Sequence, residues 1–276
     1  MELTGNLRKM TAKLGDSVNY MLPIGDAELP LNDLLDRRLK LSFEGVINCV
    51  HCDRKTKKSF SQGFCFPCFR RLAACDSCIV SPEKCHFDAG TCREPDWAES
   101  HCLVDHVVYL ANTSGVKVGI TRSTQIPTRW IDQGATQAKP IARVSHRHLS
   151  GLLETTLAKH VADKTAWQTM LKGDGTPVSL EDRRRELMSL CATEIEALQT
   201  RFGLQSLTLL EDAEETSISF PVLAYPEKVS AHNFDKNPVV EGRLMGIKGQ
   251  YLMFDTGVLN IRKFGGYRIA VEIGQA

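Results

Sequence analysis

Nine of the ten cysteines in this chain lie in one block between residues 49 and 102. The block opens with two C-x-x-C pairs separated by twelve residues, namely Cys49, Cys52, Cys65 and Cys68. Each pair can form a tight knuckle, and two knuckles at this separation predict a tetrahedral site of four thiolates. Zinc is the metal we expect there, because it needs no redox partner and accepts four sulfur ligands.

A disulfide framework is the alternative interpretation of so many cysteines. Disulfides are typical of small secreted domains, whereas this chain has 276 residues, enough to bury a core of its own. Its first ten residues contain no apolar segment of a signal peptide. No apolar run approaches the roughly 20 residues that span a bilayer. The sequence therefore favours a cytoplasmic metalloprotein with no membrane partner.

The remaining cysteines of the block predict a second zinc site, because free thiols beside a zinc knuckle are prone to oxidation. Even spacing favours the four cysteines from Cys78 onward, whereas local geometry favours a knuckle that includes Cys75. Both sets remain open, and nearby histidines are possible replacements. The candidate ligands are Cys75, Cys78, Cys85, Cys92 and Cys102, with His51, His86 and His101.

Residue patterning divides the chain into five segments and indicates an α+β fold class. Residues 1–48 are too few to form a barrel alone, so we expect them to share a small β-barrel with the C-terminal strands. The predicted segments are 1–48, β-rich; 49–105, a zinc-ribbon-like cysteine module; 106–173, mixed; 174–204, one long helix; and 205–276, the C-terminal part of the barrel.

The mixed segment has a distinctive order of elements. His106–Ala111 and Gly115–Thr121 are predicted strands joined by a short turn. A short helix after Pro127 and a further strand follow, and Ser150 is the expected N-cap of a second helix. The predicted order is therefore β-β-α-β-α.

Two strand motifs in this segment resemble those of the GIY-YIG endonuclease superfamily. They are Val108-Tyr-Leu110 and Lys117-Val-Gly-Ile-Thr121, and they are most similar to a divergent branch whose second motif reads Lys-Ile-Gly-Ile-Thr. That branch continues with an arginine and then a glutamate on the next helix, to which Arg129 and Glu154 correspond here. The resemblance implies a GIY-YIG-like domain at 106–173.

The same resemblance implies metal-dependent phosphodiester cleavage. Glu154 would hold Mg²⁺ or Mn²⁺, Tyr109 would position or deprotonate a water, and Arg129 would bind phosphate through a bidentate fork. Lys117 stands where many superfamily nucleases have a second tyrosine. It is therefore either a further phosphate or tyrosine partner or the mark of lost catalysis.

The chain as a whole also resembles a bacterial family known as a domain of unknown function. That resemblance implies an architecture and no activity. The residues that carry it are Gly90-Thr-Cys-Arg93, Lys117–Arg122, Thr128–Ala135, Asp163-Lys164 with Trp167, and Gly246-Ile-Lys-Gly-Gln250.

Basic residues cluster around the mixed segment, although the formal net charge of the chain is only +1. Such clustering is the source of non-specific affinity for phosphate, so we expect DNA or RNA as the partner. Three functions stay open: a metal-dependent nuclease, a non-catalytic nucleic-acid-binding protein, and a zinc-stabilised scaffold for another protein. The predicted nucleic-acid-binding residues are Arg122, Arg143, Arg147, Lys159 and Lys164.

Overall fold

The N-terminal segment is β-rich, as predicted. The computed structural model of the protein describes residues 2–161 and 166–274. In the longest of the N-terminal strands, Leu39 and Leu41 alternate into the core between more exposed neighbours. The strands of this part are β1 (Glu2–Asn6), β2 (Thr11–Lys13), β3 (Asn19–Ile24), β4 (Ala27–Pro30) and β5 (Arg38–Asn48).

The cysteine module follows β5 and contains little regular structure. A two-residue strand pairs with the end of β5 and forms a short hairpin. Several 3₁₀ turns, including Ser77–Ile79 and Pro82–Lys84, connect two short helices. The named elements are β6 (Lys55–Thr56), α1 (Phe66–Arg71) and α2 (Pro95–His101).

The next segment has the predicted β-β-α-β-α order of elements. Its last helix begins earlier than predicted, because His146 rather than Ser150 is the N-cap and its Nδ1 accepts from the Leu149 N–H. Ser150 is instead buried inside that helix. The elements are β7 (His106–Asn112), β8 (Val116–Arg122), α3 (Thr128–Asp132), β9 (Gln137–Val144) and α4 (Arg147–Ala158).

The predicted single helix at 174–204 is two helices, so that prediction is wrong. The helix is interrupted at Cys191, which has φ −108° and ψ 15° and is fully buried. The break lets the first helix contact β9 and the second contact α4. No helix within the described ranges is long and apolar enough to cross a bilayer. The helices here are α5 (Trp167–Met170), α6 (Leu180–Leu190) and α7 (Ala192–Phe202).

The C-terminal part consists of strands, and the four predicted after residue 238 are present with small shifts of their ends. Tight turns at Gly249 and Thr256 join three of them into a meander. The strands are β10 (Leu207–Leu209), β11 (Thr216–Ser217), β12 (Val239–Lys248), β13 (Tyr251–Phe254), β14 (Gly257–Asn260) and β15 (Tyr267–Ile273).

Both ends of the chain share one antiparallel sheet, which was predicted, but the sheet does not close into a barrel. Its strand order is β1-β15-β5-β12-β13-β14, with β6 paired to β5. Among the described strand pairs, none joins β1 to β14. The barrel prediction is therefore wrong, because β2, β3 and β4 form a separate three-stranded sheet instead of completing the circle.

A second antiparallel sheet has the order β10-β9-β7-β8, with β11 on β9. Strand β7 is buried along its whole length. Val108 and Leu110 face the core under α4 and α6, whereas Tyr109 and Ala111 face the core shared with the large sheet. This alternation turns the Tyr109 side chain away from the helices and toward the large sheet.

Candidate metal sites and a basic cleft

Four cysteines converge at the end of β5, as the sequence predicted. The ligand atoms of Cys49, Cys52, Cys65 and Cys68 all lie within 4.8 Å of one another. The first two lie in the β5–β6 hairpin, and the other two open α1. Four sulfurs so close suit a tetrahedral ion such as zinc, in which each ligand lies about 2.3 Å from the metal.

The backbone around this cluster favours a thiolate at one ligand. Burial raises the pKa of Cys49, but the N–H groups of Cys52, Cys65 and His51 more than offset it, so that the pKa falls to about 6. Burial raises the pKa of Cys68 to about 12, and the neighbouring sulfurs act in the same direction. A bound cation would therefore be needed to ionise the full set.

The other cysteines of the block divide between two places. Cys75 packs with the first cluster in a small buried core that includes Leu72. The four later cysteines line a different cavity, and Asp76 and His86 also line it. They are Cys78, Cys85, Cys92 and Cys102.

A second group of possible metal ligands comprises Asp76, Cys78 and His86, whose ligand atoms lie within 4.8 Å of one another. His86 was a candidate, but sequence reasoning missed Asp76, because a single carboxylate between two cysteines is not a distinctive signal. Neither group includes His51 or His101. The ring of His101 instead stacks on Trp97, with centroids 4.1 Å apart.

A cleft of about 1340 Å³ is the meeting point of the N-terminal segment, the cysteine module, the β7–α4 segment and the C-terminal strands. It brings together five residues that were predicted as catalytic or nucleic-acid-binding. They are Lys117, Arg122, Arg129, Arg147 and Glu154.

Tyr109 lies beneath this cleft and is fully buried. Its hydroxyl donates to Gln133 Oε1 at 2.8 Å. Burial raises the pKa of Tyr109 to about 12, while the nearby Arg129 guanidinium opposes the rise and the charge of Glu154 adds to it. Gly119 on β8 makes room for this ring, since a Cβ there would lie 2.7 Å from the hydroxyl oxygen. Tyr109, Arg129 and Glu154 are thus neighbours.

Three cations of the cleft were missed by sequence reasoning. Arg8 and Lys9 come from the segment after β1, and Arg262 comes from the 3₁₀ turn after β14. Burial lowers the pKa of Arg262, and the nearby charge of Arg129 lowers it further. No local pattern singles out these residues, because only the packing of both chain ends brings them to the cleft.

Two of the predicted nucleic-acid-binding residues that the structure describes do not line the cleft. Arg143 on β9 is exposed and lies 4.0 Å from Asp105 in an ion pair. Lys159 is exposed at the end of α4. Lys164 lies outside the described residues. For the first two, a role on another face of the molecule stays a prediction.

These features define a mixed α/β protein with a cysteine cluster that could hold a metal ion and with a basic cleft. A family model described as "Protein of unknown function (DUF2797)" matches residues 36–269. This match covers most of the chain, so the protein belongs to that family, and the resemblance of the whole chain to a family of unknown function is confirmed. No curated protein and no solved structure matches the chain significantly.

Proposed function

We propose that this protein contains structural zinc and binds the phosphate backbone of DNA or RNA in its basic cleft. The observation that carries the proposal is the concentration of positive charge in the cleft of a chain whose formal net charge is +1. Glu154 is the one carboxylate among the described residues that line it. The cations of the lining are Arg8, Lys9, Lys117, Arg122, Arg129, Arg147 and Arg262.

The arrangement of these cations favours an anionic ligand. Arg129 lies close enough to lower the pKa of both Arg147 and Arg262, each of which is already lowered by burial. Three guanidinium groups held in mutual repulsion are stabilised when phosphates lie between them. Asp132 offsets part of the positive charge, because its carboxylate pairs with Lys9 and raises the pKa of Arg262. It leaves Arg129 and Arg147 without that compensation in the lining, where Glu154 is the one described carboxylate.

The size of the cleft favours a polymer over a small metabolite. Pockets for small ligands usually have volumes of about 300–1000 Å³, and this cleft is larger, at about 1340 Å³. The cleft is also open to solvent, and its walls are formed by several segments of the chain. A nucleic-acid strand with regularly spaced phosphates fits such a surface.

Zinc in the first cysteine cluster is part of the proposal. Four thiolates are soft ligands that favour zinc over hard cations such as Mg²⁺. The first pair lies in a hairpin and the second pair opens a helix, which supports a zinc-ribbon-like module. Its role is structural, since four protein ligands leave no open position for a substrate.

A second candidate function is divalent-metal-dependent cleavage of the bound strand. The observation that favours it is the proximity of Tyr109, Arg129 and Glu154, in the order expected of a GIY-YIG-like domain. Glu154 would hold Mg²⁺ or Mn²⁺ with several waters. With a pKa of about 12, Tyr109 stays protonated at neutral pH, which favours positioning over general-base catalysis.

Binding is tested by fluorescence anisotropy with labelled single-stranded and duplex DNA and RNA over a range of salt concentrations. Arg129→Gln and Arg262→Gln should each weaken binding, and each should reduce the log–log salt slope on duplex DNA by roughly 0.9. Arg38→Gln, which changes an exposed arginine of β5 outside the cleft lining, is the matched control and should bind as wild type. An equal loss in Arg38→Gln would place binding on another face, and no binding of any nucleic acid would leave the scaffold function.

Cleavage is tested on the same panel with Mg²⁺ or Mn²⁺. Glu154→Gln should abolish cleavage, whereas Glu99→Gln, an exposed carboxylate on α2, should cleave as wild type. If wild type binds the panel and cuts nothing, the protein is a non-catalytic binder. Cleavage by Glu154→Gln at the wild-type rate would exclude this site as the catalyst.

A further inference from the structure

Four cysteines of the module surround a second, much smaller cavity. Its volume is about 20 Å³, which is sufficient for one water molecule or one small ion. The thiols reach it from two 3₁₀ turns, a loop and the end of α2. They are Cys78, Cys85, Cys92 and Cys102.

The four thiols line this one cavity together with Asp76 and His86. Thiols and an imidazole around a space of this size are ligands that a soft or borderline cation such as zinc accepts. A thiol bound to such a cation is deprotonated.

Asp76, Cys78 and His86 form the competing set of ligands. The carboxylate of Asp76 is already engaged, since Oδ2 lies 2.7 Å from Arg93 Nε and Oδ1 accepts from the Ser77 N–H at 2.6 Å. His86 Nε2 lies 3.4 Å from the same carboxylate. Asp76 and His86 thus partner each other beside the thiols, in positions that orient neighbours rather than bind the ion.

The surrounding segment has little regular structure, although its Pro82–Lys84 turn packs against α4. Between residues 76 and 105 it contains 3₁₀ turns and one seven-residue helix. None of the hydrophobic clusters formed by the described residues includes a residue of this segment. A metal cross-link commonly replaces the missing core in segments of this kind.

We propose that Cys78, Cys85, Cys92 and Cys102 form a second tetrathiolate site that holds one zinc ion. Thiolates select a soft ion, and four of them complete a tetrahedron without an open position. Cys75 does not take part, because it packs in the buried core of the first cluster.

This site lies directly behind one wall of the cleft. Ile79 and Pro82, which lie between the first two ligands, line the cleft. Arg147 joins the two places, since its Nη2 donates to the Ile79 carbonyl and its backbone N–H donates to the Cys102 carbonyl, both at 2.7 Å. The metal therefore holds Arg147 in place, and, given the proposed function, its loss should weaken nucleic-acid binding.

The metal site is tested on the full chain by zinc content and zinc X-ray absorption. Wild type should hold two zinc ions, surrounded only by sulfur at about 2.3 Å. Cys92→Ser should hold one, while His86→Gln and the control Cys191→Ser, a buried cysteine outside the module, should hold two. One zinc in wild type, or a nitrogen ligand that disappears in His86→Gln, would overturn the assignment. The zinc X-ray absorption spectrum of wild type tests this ligand assignment even if Cys92→Ser does not fold.

The link to the cleft is tested by anisotropy with the same labelled duplex DNA. Cys92→Ser that retains one zinc should bind roughly tenfold more weakly, equivalent to about 1.4 kcal/mol, and Cys191→Ser should bind as wild type. Unchanged affinity in the one-zinc protein would overturn the link. Absence of binding by wild type would refute the proposed function and with it the link, whereas the zinc count would still decide the metal site.

Discussion

The large sheet and the cysteine module are adjacent in the chain but are stabilised by different interactions. In the sheet, Leu39 and Leu41 of β5 pack with Ile269 and Val271 of β15, and all four are buried. In the module, four of the five residues in the buried cluster around the first metal site are cysteines, with Leu72 as the fifth. The hydrophobic effect can hold the sheet without a metal, whereas the interior of the module consists mainly of cysteines, three of which belong to the cluster that could hold a metal ion.

The largest expected effect is that of removing a ligand from the first site. Cys49→Ser should lose zinc from this site and cost several kcal/mol, because structural zinc contributes about 10 kcal/mol or more in small domains. Zinc analysis and hydrogen exchange should show the loss of protection in the module while β12 to β15 stay protected. Cys191→Ser is the control and should retain its zinc. A Cys49→Ser protein with full zinc content and stability would contradict the comparison.

A core truncation in the sheet should produce the opposite pattern. Leu41→Ala should lower the free energy of unfolding by about 2–5 kcal/mol, because it leaves a cavity in a closely packed core, yet zinc content should be unchanged. Lys40→Ala on the same strand removes a half-exposed surface ion pair with Glu272, so its cost should be about 1 kcal/mol or less. Loss of zinc in Leu41→Ala would mean that the two regions do not fold independently.

Mild acid should reveal the effect of a buried histidine, His106, which begins β7 just after the cysteine module. Burial lowers the pKa of His106 to about 4, and its Nδ1 lies 2.7 Å from the Val104 carbonyl. The unfolded chain, with a pKa near 6.5, binds the proton first. Stability is therefore complete above about pH 6.5 and decreases as the pH falls toward 4.

Urea denaturation at pH 7 and pH 5 measures this effect. Wild type should lose roughly 1–2 kcal/mol over this interval through His106, at about 1.4 kcal/mol per pH unit below 6.5. His106→Asn should lose less. Zinc content recorded at both pH values separates this effect from protonation of the thiolates, and equal losses in the two proteins would show that His106 is not responsible.

The smallest expected effect is that of Tyr109→Phe, which tests whether this residue belongs to the core or to the cleft. The change removes the hydrogen bond to Gln133 and should cost about 0.5–1.5 kcal/mol. Zinc content and nucleic-acid affinity should not change, since the ring is fully buried beneath the cleft. A large loss of affinity with unchanged stability would instead place the hydroxyl in contact with the ligand.

Predictions from the sequence succeeded where the signal was local. The knuckle spacing identified the first metal cluster, because two cysteines three positions apart in a tight turn are already close. Hydrophobic alternation and turn residues identified the strands after residue 238 and the β-β-α-β-α order of the middle segment. Arg129 and Glu154 both line the cleft, and their catalytic roles stay predictions.

Predictions failed where packing decided between local alternatives. The apolar stripe continues past Cys191, so no local pattern shows that the helix is interrupted there. The interruption lets α6 contact β9 and α7 contact α4. The strand patterns at both ends of the chain indicated one shared sheet. They did not indicate that β2, β3 and β4 would form a separate sheet.

The sequence by itself determined the cysteine module and the types of most strands and helices, because each depends on residues within a few positions of one another. Only the tertiary structure decided that Cys75 joins the first cluster, that Asp76 lies beside the second, and that Arg8 and Arg262 line the cleft with Arg129. The physical reason is distance along the chain: these residues meet only after the antiparallel sheet has paired the two ends, which no local pattern encodes.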